Sequence, residues 1–198
     1  MGRARRVVDR GAGKVPTSRS NFNRDGFVTN HDLTYIARHS GDRVLIADKT
    51  VWPLVEAFKD RVGFEHVIAV GAGPTPDGAI DYEELLATQD ASAFSYRDVE
   101  ERSAAAMCYT SGTTGRPKGV VYSHRAIAIH ALTAMSLLGL SSGDVCLPVV
   151  PMFHANAWCF PFSSTLAGAK HVYPGPHLDP QSLLDAFASE GVTISAGV

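Results

Sequence analysis

The stretch "YTSGTTGRPKGVVYSH" (residues 109–124) crowds Ser, Thr and Gly into a short loop, adds one Pro and one Lys, and returns to apolar residues. Thr110, Ser111, Thr113 and Thr114 bring hydroxyls. Gly112 and Gly115 let the backbone turn at positive φ and bring amides close to an anion. Lys118 supplies a point charge for phosphate oxygens, and Pro117 stiffens the approach to it. A Thr hydroxyl also suits a phosphate-bound Mg²⁺, a hard ion that prefers oxygen. The composition is that of a phosphate cradle. The spacing is not that of G-x-x-x-x-G-K-[ST], because Gly119 stands where Ser or Thr should follow Lys118.

The segments on either side alternate in period. "AAAMCYT" (104–110) reads as a strand running into the loop. After "GVVYS", the stretch "HRAIAIHALTAMSLLG" puts Ile127, His130, Ala131, Ala134 and Leu138 at helical spacing, with Ser123 as its cap and Gly139 as its stop. "VCLPVV" (145–150) is a strand, and "NAWCFPFSSTLAG" reads as helical with Pro161 at a kink or first turn. "AKHVYP" is a strand, "PQSLLDAFASEG" a helix, and "VTISAGV" a strand that reaches the last residue, Val198.

The same grammar runs upstream. "HDLTYIARHS" gathers Leu33, Ile36 and Ala37 on one helical face, and "RVLIAD" (43–48) and "HVIAV" (66–70) are short buried strands. Between them "TVWPLVEAFKDR" is helical, with Thr50 as cap and Pro53 in the first turn. "IDYEELLATQ" is helical with Asp81 as cap. Strands alternating with such helices predict an α/β fold of βαβ units with a mainly parallel sheet, its strands apolar throughout because helices cover both faces. Ligands bind beyond the carboxyl ends of such strands. The spacing therefore places the loop at 110–118 on the ligand edge of that sheet.

Composition excludes several classes. Of 198 residues, 45% are hydrophobic and 19% charged, enough apolar material for a sizeable core. A net charge of −2 points to no nucleic-acid partner. Residues 1–30 hold seven Arg and Lys against two Asp, with no apolar run of secretory-signal length, and support no element. They read as a basic solvated head, with a mitochondrial-type presequence as the alternative. No uninterrupted apolar stretch suits a membrane span. Cys108, Cys146 and Cys159 form no C-x-x-C and sit among apolar neighbours, as reduced buried thiols of a cytoplasmic protein do. His154 and Cys159 make no metal-ligand spacing, and His124, His130, His171 and His177 are scattered.

"YTSGTTGRPKGV" closely resembles the signature of the adenylate-forming superfamily, which includes acyl-CoA synthetases, luciferases and peptide-synthetase adenylation domains. "PVVPMFHANAWCFPF" (148–162) and the run from Gly168 to Val198 resemble its fatty-acyl-CoA synthetase branch. The resemblance covers residues 31–198, an incomplete portion of that family's large N-terminal domain, and leaves 1–30 unmatched.

It implies two steps on a medium- or long-chain fatty acid. The carboxylate attacks the α-phosphate of ATP, with Mg²⁺, giving acyl-AMP and pyrophosphate. Coenzyme A then displaces AMP. On this resemblance Thr110, Ser111, Gly112, Thr113, Thr114, Gly115 and Lys118 embrace the β- and γ-phosphates, with Thr110 on the Mg²⁺ side. His154 lies beside the carboxylate and adenylate, and Trp158 gates the fatty-acid tunnel. The resemblance also implies adenine, ribose and C-terminal lysine contacts for which these 198 residues hold no counterpart. The alternative expectation is therefore an inactive remnant or a nucleotide-binding fragment, whose open final strand would invite pairing with a second copy.

Overall fold

The computed structural model describes residues 7–8, 30–110 and 116–197. They divide into two compact units. One holds 7–8, 100–109 and 120–197, and the other holds 30–99, 110 and 116–119. β1 (Val7–Val8), in a head expected to carry no element, belongs to the first.

The second unit begins with α1 (Asn30–Ser40), which buries Ala37 and half-buries Leu33 and Ile36 as its spacing predicts. β2 (Val44–Asp48), β3 (His66–Val70) and β4 (Ile80–Asp81) form a parallel three-stranded sheet, with Val44 opposite His66 and Ile68 opposite Ile80. One face packs Trp52, Val55 and Ala69 against Leu45, Ala47 and Val67. Val44 and Ile46 stay exposed, so β2 alternates instead of being apolar on two covered faces.

The helix expected over 50–61 is broken. A 3-10 turn (Lys49–Val51) leads to α2 (Trp52–Glu56), and α3 (Lys59–Val62) follows. Asp48, not Thr50, caps the turn. Its Oδ1 accepts from the Thr50 amide at 2.7 Å and the Thr50 hydroxyl at 2.6 Å. The break falls where Phe58 turns into the interior with a φ of −135°, which no α-helix accommodates. Asp81 caps α4 (Tyr82–Ala87) as expected, accepting from the amides of Glu83 and Glu84.

In the first unit β5 (Ala104–Thr110) pairs with β6 (Lys118–Ser123), a strand that "GVVYS" did not announce. Each strand passes its loop-side end, Thr110 or Lys118 and Gly119, to the second unit. The connection of seven residues is shorter than a parallel crossover requires, so the pair is a hairpin. Among the described residues the loop thus joins two strands of a ribbon and does not end a strand of the parallel sheet.

α5 (His124–Leu138) follows. The Ser123 hydroxyl accepts from the Ala126 amide at 3.1 Å, and Gly139 closes the helix at a φ of 63°. Ala131 is its buried residue and Ile127, Ala134 and Leu138 are half-buried, whereas His130 faces out.

The larger sheet has the order β1-β9-β7-β8, parallel throughout, from β7 (Val145–Pro148), β8 (Lys170–His171) and β9 (Ile194–Ala196). Between them lie α6 (Phe160–Leu166), with Pro161 in its first turn, and α7 (Pro180–Glu190), capped by Asp179. The strand expected over "AKHVYP" shrinks to two residues. β9, expected to be open, is paired on both sides. The core gathers Leu140, Cys146, Val150, Ala157, Phe160, Ala169, Ile194 and Ala196. The chain leaves β7 for β8 on one side and returns to β9 on the other. In open parallel sheets such a divergence is where ligands bind, beyond the strands' carboxyl ends.

Candidate functional site

β5 delivers Thr110, exposed, to the start of the loop, and Lys118, also exposed, opens β6. Ser111, Gly112, Thr113, Thr114 and Gly115 lie outside the described residues. Arg116, to which sequence reasoning gave no task, has its guanidinium 5.4 Å from the centre of the Tyr35 ring. It helps line a cleft of about 360 Å³ with His31, Thr34, Tyr35, Arg38 and His39. The exit of the loop is therefore electropositive. Among the described residues no cluster of three His, Cys, Asp or Glu could hold a metal. Thr110 offers a single hard oxygen, which fits a Mg²⁺ ion carried in by phosphates and not one caged by protein.

His154 and Trp158 come from the carboxyl end of β7. Val149 and Val150 both donate their amides to Ala196 O of β9, at 2.8 and 2.9 Å. That clamp directs the chain out through Pro151 to His154, which is exposed and whose amide donates to Pro151 O at 3.0 Å. Trp158 is half-buried against the core.

Between them the backbone does something the helical reading of "NAWCFPF" did not anticipate. Ala155, Asn156, Ala157, Trp158 and Cys159 all have positive φ, from 47° to 64°. This is a left-handed turn without a glycine. Each L-residue there gives up about 1–2 kcal/mol relative to a right-handed turn, because Cβ crowds the following carbonyl. Such a run persists only where its surroundings over-determine it. Here Ala157 is fully buried and Phe160 nearly so, and the Cys159 amide donates to Asn156 O at 3.0 Å. The side chain of Asn156, the residue in the run most tolerant of this conformation, is held from β5: Cys108 Sγ donates to its Oδ1 at 3.2 Å. Neither Cys108 nor Asn156 stood out in the sequence beyond Cys108's apolar surroundings, since 48 residues separate them.

Two thiols near this turn are held in the protonated form. Burial, reinforced by the charge of Asp144, pushes Cys146 up to about 11. Burial likewise raises Cys159. All three cysteines are free and buried, so at neutral pH Cys146 and Cys159 supply packing and not a thiolate nucleophile. No helix among the described residues is long and apolar enough to cross a membrane.

The AMP-binding enzyme family matches residues 24–198. The chain is 50% identical over 169 residues to a long-chain-fatty-acid–CoA ligase of Thermus thermophilus, covering 84% of this chain and 30% of that protein. It is 43% identical over 175 residues to a medium-chain-fatty-acid–CoA ligase of Ectopseudomonas oleovorans, covering 84% and 32%. Its fold superposes on a long-chain-fatty-acid–CoA ligase from Archaeoglobus fulgidus with a TM-score of 0.73 at 24% identity, over 85% of this chain and 32% of that one. The chain thus spans about a third of the length of the relatives it matches.

Proposed function

The chain belongs to the AMP-binding enzyme family, and from that premise we propose that it is the phosphate-loop and acyl-gate portion of a fatty-acid–CoA ligase. The observation that carries this reading is the 50% identity over 169 residues to a long-chain-fatty-acid–CoA ligase.

In the proposed reaction a carboxylate oxygen of a medium- or long-chain fatty acid attacks the α-phosphorus of MgATP. The bond to the bridging oxygen breaks, and pyrophosphate leaves with its electron pair. The thiolate of coenzyme A then attacks the acyl carbon of acyl-AMP, expelling AMP and leaving the thioester. Both steps gather charge, so the chain's contribution is to neutralise phosphate oxygens and align the carboxylate.

The hydroxyls and amides of Thr110, Ser111, Gly112, Thr113, Thr114 and Gly115, with the Lys118 ammonium, take the β- and γ-phosphates. Thr110 faces the Mg²⁺ that enters with the nucleotide. His154 stands beside the carboxylate and the adenylate phosphate. Trp158, at the head of a strained turn, is the gate to the acyl tunnel. Free, buried cysteines agree with a cytoplasmic setting. In the larger sheet the edge strands are β1 and β8, two residues each, a small surface for self-association.

ATP–pyrophosphate exchange by the 198-residue chain with a series of fatty acids tests the proposal. Exchange above background that Lys118→Ala abolishes supports it; exchange unaffected by Lys118→Ala sinks the loop assignment. A second reading, nucleotide binding without turnover by these residues alone, draws on the one-third span of the relatives. It predicts MgATP binding, weakened by Lys118→Ala, with no exchange.

A further inference from the structure

The left-handed turn poses a problem of support. Four of its five residues are Ala, Ala, Trp and Cys, none of which favours positive φ. Packing under Ala157 and Phe160 holds the base of the turn. The end nearer His154 is held by a side-chain bond, Cys108 Sγ to Asn156 Oδ1. Cys108 is no isolated buried thiol. It lies two residues before Thr110 on β5, and residues two apart on a strand share a face. The strand that carries the first hydroxyl of the phosphate loop is thereby hydrogen-bonded to the turn that carries Trp158. Cys159, at the other end of the turn, is tied through its thiol to Ile127 O of α5 at 3.8 Å.

We infer that Cys108 and Asn156 are positioning residues: their hydrogen bond holds the turn 155–159 in its left-handed form and so sets where Trp158 stands. The consequence for function rests on the reading of Trp158 as an acyl gate and of residues 110–118 as a phosphate loop. A nucleotide that draws on the end of β5 then acts on the gate through Cys108, because the bond spans the two elements directly. The chemistry asks for a donor of thiol or hydroxyl size at 108 and a carbonyl acceptor at 156. Glycine at 156 keeps the backbone at ease and removes only the acceptor.

The chain has two tryptophans, Trp52 in one unit and Trp158 in the other. Labelling with 5-fluorotryptophan therefore gives two ¹⁹F resonances, assigned with Trp158→Phe; Trp52 is the control for its own unit, and the dispersed methyl proton signals of Ile194 and Leu147, in the core of the unit that holds Trp158, are the control of folding there. Without nucleotide, Cys108→Ala is expected to displace or broaden the Trp158 resonance and leave Trp52 in place. Cys108→Ser, which restores a donor of similar size, is expected to return it. Asn156→Gly is expected to reproduce the Cys108→Ala displacement, and it carries the test alone if Cys108→Ala loses the Ile194 and Leu147 methyl signals of the folded unit. A Trp158 resonance unmoved in Asn156→Gly and in folded Cys108→Ala overturns the inference, as does a displacement that Cys108→Ser fails to reverse.

Titration with MgATP separates this from the wider reading. In the wild-type chain Trp158 is expected to shift on saturation, and the shift is expected to fall severalfold in Asn156→Gly. If the variants displace Trp158 but MgATP moves nothing in the wild type, the positioning bond stands and the phosphate-loop reading fails.

Discussion

The loop at 110–118 and the turn that carries Trp158 serve one proposed reaction and are built by opposite means. The loop concentrates its function in composition. Hydroxyls, glycines and a lysine stand side by side between two strands, and each residue type is suited to the local task. The turn at 155–159 holds a conformation that four of its five residues disfavour, and beyond its own Cys159–Asn156 backbone bond its support comes from elsewhere: Cys108 on β5, Ile127 on α5, and the core under Ala157. Altering the loop should change binding and leave folding alone. Altering the turn should change folding.

The largest effect is expected at Ala157. It has no exposed surface and a φ of 49°. A valine there adds two methyl groups to a closed core and puts a β-branched side chain where it is a genuine outlier. Together these cost about 3 kcal/mol or more. Chemical denaturation followed by the Trp158 ¹⁹F resonance measures the loss. A loss under about 1 kcal/mol means that the turn relaxes at little cost, and the contrast with the loop collapses.

Lys118→Ala tests the other side. Lys118 is exposed at the start of β6, so its removal should leave unfolding within about 0.5 kcal/mol of the wild type. A charge-assisted contact to phosphate contributes about 1.5–3 kcal/mol, so MgATP affinity should fall by about 10- to 100-fold. Calorimetric titration reads this directly. Unchanged affinity would remove Lys118 from the phosphate site.

How much could be read without coordinates follows the same division. Ser123, Asp81 and Gly139 announce their helix ends because capping is local: a short polar side chain or a glycine meets backbone groups a few residues away. Thr50 misled because Asp48, two residues earlier, accepts from both its amide and its hydroxyl, which starts the first turn ahead of Thr50 and engages the hydroxyl as a donor. His130 sits at helical spacing yet faces out, since periodicity gives a stripe and only packing decides its width. β6 was missed because its six residues resemble a lead-in to the helix, and a hairpin partner is a tertiary fact. The left-handed turn had one weak signal, the αL-tolerant Asn156. Ala, Trp and Cys report nothing about positive φ, and a bond across 48 positions leaves no local trace.

The two units should also part company with pH. In the unit of β2–β4, Lys49 beside Asp81, then Thr75 and the Glu84 amide, hold the Asp81 carboxyl well below the usual carboxylate range. A carboxyl depressed in the folded state stabilises it above the unfolded value, about pH 4, and loses that contribution as pH falls toward the folded value. In the unit of β7–β9 Ser182 lowers the Asp179 carboxyl in the same sense, but two thiols add a contribution of opposite sign. Burial raises Cys146 to about 11 and also raises Cys159. Their contribution is complete below the unfolded thiol value, about 8.5, and is lost as pH rises through the folded one. The Trp52 and Trp158 ¹⁹F resonances report the units separately. Trp52 should fail first in acid and Trp158 first in alkali. Asp81→Asn should weaken the acid dependence of the first and leave the part that comes from Glu65, paired with Arg43, and Asp90, bonded to Ser92, and simultaneous loss of both signals at either limb would contradict the assignment.

The smallest effect is expected at Arg116, which links loop composition to fold. Its guanidinium lies over Tyr35 on α1, 5.4 Å from the ring centre, at an exposed position. An exposed cation–π contact of this kind contributes about 0.5–1 kcal/mol. Arg116→Ala should therefore lower stability by no more than that. Arg116→Lys keeps the charge but loses the planar stacking, and should fall between the two. If the contact orders the exit of the loop, MgATP affinity should drop in the same rank order, Arg above Lys above Ala. The drop should exceed the stability loss, because the guanidinium also adds positive charge beside the proposed phosphate site, which the folded chain without nucleotide does not use. Equal affinities across the three would show that composition alone suffices and that α1 does nothing for the loop. That result would leave the loop as self-contained as its sequence suggests and sharpen its difference from the turn.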